Sequence, residues 1–183
     1  MNRIPRNPEH HGAERSPGSL RPARPMFAIT DAVVTQSEHW LRSPRWNGRE
    51  SIVYWAGLKR EDVWLVTTVI KPKAVTRRGS FTTSSRHNAR VIEFLSDAGL
   101  ALLGQVHTHE ASFVNHSQGD DEDAFMPREN SMSLVVPHFG REGMRPLDRC
   151  GVHRYEAGRF RRLDAEEIES DLCIVPMSRN LAR

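Results

Sequence analysis

One stretch constrains this chain more than any other: residues 104–120, which read G-Q-V-H-T-H-E-A-S-F-V-N-H-S-Q-G-D. An apolar run over 100–103 leads into it and predicts a buried strand. His107 and His109 stand at the end of that strand with one residue between them. Residues i and i+2 of a strand face the same side, so the two imidazoles make a pincer for a metal ion. Asp120 comes eleven residues after His109, and Gly119 before it permits a tight turn. Two histidines and one carboxylate leave one position open on a tetrahedral Zn²⁺, which is what a catalytic rather than a structural site requires. Taken singly, each part is bland. H-x-H is common, Ser117 would be a loop serine, and the acidic run 120–123 would be a helix start, since acids favour a first turn.

The spacing is more specific than the residue types. It is H-x-H, seven residues, Ser117, two residues, Asp120. This resembles the JAMM motif of the JAB/MPN+ metalloproteases, H-x-H-x(7)-S-x(2)-D, at all four fixed positions. Glu110 stands where the family often has proline. The family draws its general base from an upstream carboxylate in a pattern like E-x(2)-G-x(3)-G. Residues 50–57 read E-S-I-V-Y-W-A-G, so Glu50 and Gly57 fit and Val53 replaces the first glycine. The resemblance implies a zinc peptidase in which His107, His109 and Asp120 hold Zn²⁺. Glu50 would be the general acid/base and Ser117 the donor to the developing oxyanion. It also implies a substrate class: the C-terminal tail of a ubiquitin-like protein, as a conjugate or a precursor. Short members resemble the prokaryotic enzymes that accompany activating-enzyme-like and conjugating-enzyme-like proteins, including those of antiphage pathways. Alternatives are a hydrolase acting on a sulfur-carrier adduct or another peptide, and a non-catalytic scaffold.

The rest of the chain reads as alternating strands and helices. Residues 1–25 are rich in Pro, Arg, Gly and Ser and predict a disordered basic tail, with His10 and His11 solvated in it. A strand over 27–29 precedes a helix whose apolar face is Val33, Val34, Trp40 and Leu41. Strands over 50–58 and 63–70 form an antiparallel hairpin. Residues 73–83 read as an exposed polar loop, and a helix runs from Ser84 or Ser85 to Ala98. After the motif come a short helix over 121–126, a strand over 133–136 and a hairpin over 151–163. An acidic helix over 165–172 and an unpatterned tail from Cys173 end the chain. His39 and His87 read as helix-surface residues, and His116 as a possible substrate contact. Cys150, His153 and Cys173 have irregular spacing for a second zinc site and lack a fourth ligand.

Together these give an α/β fold: a mixed, largely antiparallel central sheet flanked by helices. The expected division is a tail over 1–25, a JAB/MPN-like domain over 26–165, and a C-terminal helix and tail over 166–183. Loops 73–83 and 110–116 would face the substrate. The net charge of +3 and sequence pI near 9.2 come without a basic helix or an aromatic RNA-binding pattern, so no nucleic-acid partner is expected. No apolar run approaches the roughly 18 residues of a membrane span, and no signal peptide is seen, so a cytoplasmic protein is the expectation. Two cysteines make no disulfide framework.

Overall fold

In the computed structural model, which describes residues 25–42, 48–77 and 80–176, strand alternation sorts side chains onto the two faces of one sheet. On β2 (Ile52–Lys59), Val53 and Trp55 turn to one face, while Ile52 and Tyr54 turn to the other. The first face packs under α1 (Asp31–Leu41), where Val33, Val34 and Leu41 complete the larger core. The indole of Trp55 donates to the Ser37 hydroxyl at 2.9 Å, which donates in turn to the Val33 carbonyl at 2.7 Å. This satisfies every polar atom that the indole and the hydroxyl bring into the core. The second face is smaller. Ile52, Tyr54, Phe81, Val91 and Leu95 fill it beneath α2 (Ser85–Asp97), which buries only Val91 and Leu95.

The main sheet has eight strands in the order β10-β1-β3-β2-β6-β7-β8-β9. The others are β1 (Met26–Thr30), β3 (Val63–Ile70), β6 (Ala101–Thr108), β7 (Met132–Val136), β8 (Gly151–Glu156), β9 (Arg159–Arg162) and β10 (Leu172–Val175). Pairs β2–β3, β2–β6, β7–β8 and β8–β9 are antiparallel, whereas β1–β3, β1–β10 and β6–β7 are parallel. The expected mixed, largely antiparallel sheet with helices against it is what forms.

A register shift near Trp55 to Gly57 kinks β2 against both its neighbours and curls the sheet. Gly57 is needed there, because a Cβ would overlap the carbonyl of Leu65 on β3. Gly104 has the same role on β6, where a Cβ would lie 2.5 Å from the Met132 carbonyl oxygen. The curl brings α4 (Ala165–Asp171) back to β8, where the fully buried Arg154 meets Asp171 at 2.9 Å.

Three sequence expectations need correcting. Residues 73–83 are not a loop but contain a separate two-stranded sheet, β4 (Ala74–Arg77) paired with β5 (Ser80–Thr83). It is held by Phe81, whose buried ring joins the cluster of Ile52, Tyr54, Val91 and Leu95. The short helix after the motif is α3, Gln118–Glu122, and so begins before Asp120 rather than after it. The tail expected from Cys173 begins instead inside β10, which pairs in parallel with β1 from Phe27↔Leu172 to Thr30↔Val175. The expected tail over 1–25 lies outside the described residues except for Pro25, which is buried. No helix among the described residues is long and apolar enough to cross a membrane.

Candidate metal centre

The site is assembled where β2 and β6 run side by side. Their antiparallel register pairs Ile52 with His107, and carried two residues further it sets Glu50 across from His109. The connection is tight. The Ser51 N–H donates to the Thr108 hydroxyl at 2.9 Å, and the Thr108 N–H donates to the Ser51 carbonyl at 3.0 Å. The Lys71 ammonium, pushed down to about 8 by burial, donates to the Ser51 hydroxyl at 2.5 Å and to the Ile52 carbonyl at 3.0 Å. Thr108, the residue between the two histidines, thus fixes the backbone that carries Glu50.

Replacing Thr108 by valine keeps the shape and removes the acceptor, leaving the Ser51 N–H buried without it. The expected cost is about 1–3 kcal/mol. It would appear as a lower midpoint in urea unfolding with an unchanged slope.

His107 is fully buried and His109 nearly so. A five-residue helix delivers the third group. Ser117 caps α3 reciprocally: its hydroxyl accepts from the Asp120 N–H at 3.2 Å, and its own N–H donates to Asp120 Oδ2 at 2.6 Å. The cap leaves the Ser117 hydroxyl proton unspent on a side chain that faces solvent. Asp120 is the one buried residue of α3. Its Oδ1 lies 3.3 Å from His107 Nε2 and its Oδ2 lies 3.3 Å from His109 Nε2. One ligand atom from each of the three falls within 4.8 Å of the others, the one such group of His, Cys, Asp or Glu among the described residues.

Next to the motif, the chain turns back sharply. His138, Phe139 and Gly140 have φ of 54°, 55° and 70°. For the two residues with a Cβ this left-handed backbone costs roughly 1–2 kcal/mol each. The turn lets the Phe139 N–H donate to the His109 carbonyl at 2.7 Å and the His138 N–H donate to the Ala111 carbonyl at 3.3 Å. The exit of His109 from β6 is therefore latched to the end of β7.

The electrostatics are those of a cation site. Burial lowers the basicity of His107, and Asp120 only partly opposes it. Burial works the same way on His109, but Asp120 and the Phe113 carbonyl, which lies 2.9 Å from Nδ1, outweigh it and raise the imidazole. Asp120 is held well below the usual carboxylate range, because its 3.3 Å contacts with both histidines and the hydrogen bond from the Ser117 N–H overcome the effect of burial. Glu50, 5% exposed, is raised to about 7, chiefly by burial, against the pull of His109. Among the described residues, neither buried ring nitrogen of His107 has a hydrogen-bond partner. Such groups are costly to leave unmade, and a metal ion on the face shared with His109 and Asp120 would satisfy one of them.

Comparison with known proteins agrees with this geometry. The chain is 30% identical over 152 residues to the probable metalloprotease y4jG of Sinorhizobium fredii, covering 81% of this chain and 87% of that protein. The chain belongs to the JAMM metalloprotease family. As a JAMM protein it is a metal-dependent hydrolase, and the H-x-H-x(7)-S-x(2)-D residues are those that converge here. No protein-family model matches it. A solution structure of a Desulfitobacterium hafniense protein shares the fold, with a TM-score of 0.59 at 16% identity over 82% of this chain and 94% of that one. A JAB1/MPN domain protein from Archaeoglobus fulgidus is matched at a TM-score of 0.42 and 15% identity, over 75% of this chain and 92% of that chain.

The other histidines and the cysteines of this JAMM protein sort differently. His10 and His11 lie outside the described residues. His39 is exposed, and His87 contacts Ser84 at the start of α2. Cys150, His153 and Cys173 do not converge. The Cys150 thiol is buried, contacts the Met144 carbonyl at 3.6 Å, and is pushed up to about 12 by burial and by Glu38 and Asp148. Sequence reasoning gave Thr108 and Lys71 no part in the site. Thr108 acts through the backbone of Ser51, just before β2, and Lys71 through the Ser51 hydroxyl and the Ile52 carbonyl, and no spacing pattern reports that.

Proposed function

We propose that this chain is a zinc-dependent peptidase that cuts at the C-terminal tail of a ubiquitin-like protein, releasing it from a conjugate or a precursor. The observation that carries the reading is the convergence of His107, His109 and Asp120, with the buried carboxyl of Glu50 across from His109. Imidazole and carboxylate donors with one position left open suit zinc in a catalytic setting. Zinc bound there supplies a Lewis acid for the scissile carbonyl and lowers the pKa of water to about 7. The chain does the rest. Glu50 takes a proton from the attacking water at its carboxylate and passes it to the leaving amine. The Ser117 hydroxyl donates to the oxygen on which negative charge develops. The carboxylate of Asp120 and the neutral imidazoles of His107 and His109 are the ligands.

An extended tail is favoured by what borders the site. The β4–β5 hairpin forms a sheet of its own and reaches the site through Phe81, whose ring centre is 5.4 Å from that of His107. On the other side Phe113, 55% exposed, lies parallel to the His109 ring at 6.1 Å. An edge strand beside a catalytic centre can add an incoming peptide as a further strand. The partners in this reading are the ubiquitin-like protein or its conjugate, together with activating-enzyme-like and conjugating-enzyme-like proteins that build it.

Zinc-loaded protein should cleave a ubiquitin-like domain with a Gly-Gly tail fused to a reporter, directly after the tail, with cleavage read by mass spectrometry. Cleavage of unrelated peptides at the same rate, or of none of a panel of such fusions, would overturn the substrate assignment.

A further inference from the structure

We propose that His116, held between Asp121 and Ser133, is a positioning residue that presets Asp120 for the metal. The proposal rests on reading Asp120 as a ligand. Asp120 is the one member of the trio that neither lies on β6 nor directly follows it. Its helix, α3, has five residues and buries no apolar side chain. A helix that short does not hold itself in place, and this one has no hydrophobic face to dock it. The Ser117 cap fixes Asp120 relative to α3, but it leaves α3 unattached to the sheet.

His116 supplies that attachment. Its Nδ1 lies 2.6 Å from Asp121 Oδ1, on the residue after Asp120. Its Nε2 lies 2.8 Å from the Ser133 hydroxyl on β7. Ser133 is fully buried and pairs in register with Gln105, whose side-chain amide also donates to the Ser133 hydroxyl at 3.3 Å. The Asp121 carboxylate can only accept, so the proton on Nδ1 points to it, while Nε2 and the Ser133 hydroxyl face each other. The imidazole itself is boxed in. Its ring centre lies 4.3 Å from that of His153, 4.7 Å from that of Phe160 and 5.6 Å from that of His107. A rigid post on β7 thus reaches α3 through one ring.

The order serine, histidine, aspartate is that of a nucleophilic triad, but the Ser133 hydroxyl is sealed inside the sheet. No carbonyl can reach it, so the set does no covalent chemistry. Its role is geometric. Residues that orient metal ligands from behind are typically worth about 10–100-fold in metal affinity.

The experiment is zinc titration of the full chain against a chelating indicator, for wild type, Asp121→Ala, Ser133→Ala and the double variant. Asp121 and Ser133 are held by opposite nitrogens of the His116 ring, so any coupling between them runs through it. Each single change is expected to weaken zinc by roughly tenfold or more, and the double variant is expected to be no weaker than the worse single. Loss of the Asp121 charge alone, or loss of packing alone, would instead give effects that multiply. Multiplying effects, or an Asp121→Ala protein that binds zinc like wild type, would overturn the clamp. Wild type that takes up no zinc would overturn the ligand assignment beneath it. Asp121 is exposed, so its variant folds whatever the outcome at Ser133.

Discussion

Replacing His107 by alanine should abolish zinc uptake and, with it, peptidase activity. The expected fall is about 10³-fold or more, the equivalent of the several kcal/mol that a Lewis acid contributes to such a reaction. The reason lies in the donor set. Two imidazoles and one carboxylate are the whole of it among the described residues, and no fourth His, Cys, Asp or Glu stands close enough to substitute. Stability gives a second readout. A ligand that binds only the folded state stabilises it by about 4 kcal/mol at roughly a thousandfold excess over Kd. Wild type should therefore melt higher as zinc is added, and the variant should melt at one temperature throughout. Elemental analysis of both proteins, purified in parallel, checks the same point directly. Zinc retained by the variant at wild-type stoichiometry would show that the ion sits elsewhere.

Replacing Glu50 by glutamine should separate chemistry from binding. The amide keeps the shape and cannot accept the proton, so turnover should fall by about 10²–10⁴-fold while zinc affinity stays near that of wild type. The pH dependence follows from the raised carboxyl. A base works when deprotonated, so wild-type activity should be lost as pH falls through the Glu50 pKa. That pKa is about 7 without a metal, and a bound cation draws it lower. The acid limb therefore lies at or below pH 7. Metal-free stability carries the opposite sign. The folded value of about 7 exceeds the ordinary 4.5, so folding takes up a proton between them. The stability tied to Glu50 is complete below pH 4.5 and is lost as pH rises through 7. Urea midpoints of the metal-free protein measured across that window should slope less in Glu50→Gln than in wild type. Equal slopes would mean that Glu50 is not the buried acid of the site.

How legible the site was in the sequence depended on how local its geometry is. His107 and His109 share a face because strands alternate, and Asp120 is turned toward them by a cap within three residues of Ser117. Both facts are written in short spacing. Glu50 needed the β2–β6 register, for which the sequence offered only the partial match ending at Gly57. His116 read as a candidate substrate contact rather than a clamp because its partners are split between α3 and β7, and nothing in the loop announces Ser133. The same logic explains the misread elements. Residues 74–83 are polar enough to pass for a loop, and only the burial of Phe81 under α2 makes them a hairpin. The run Leu172–Val175 is short and follows a helix, so its strand character becomes visible only beside β1. The start of α3 was misplaced because the acidic run at 120–123 drew attention from the capping serine ahead of it.

The pairing of β1 with β10 sets a timetable for synthesis. Residues 26–30 emerge early and find β3 soon after, but their other edge stays open until residues 172–175 have been made. During that interval the nascent chain presents Phe27 and Ile29 on an unpaired strand, a template for pairing with another chain. Closing it requires one of the longest sequence separations in the fold, the kind of contact that forms slowly. The metal ligands, by contrast, all precede that strand by about fifty residues or more in the chain. A growing chain could thus meet its ion before its sheet is finished, and the bound ion would hold the middle of the sheet while the edge waits for its last partner.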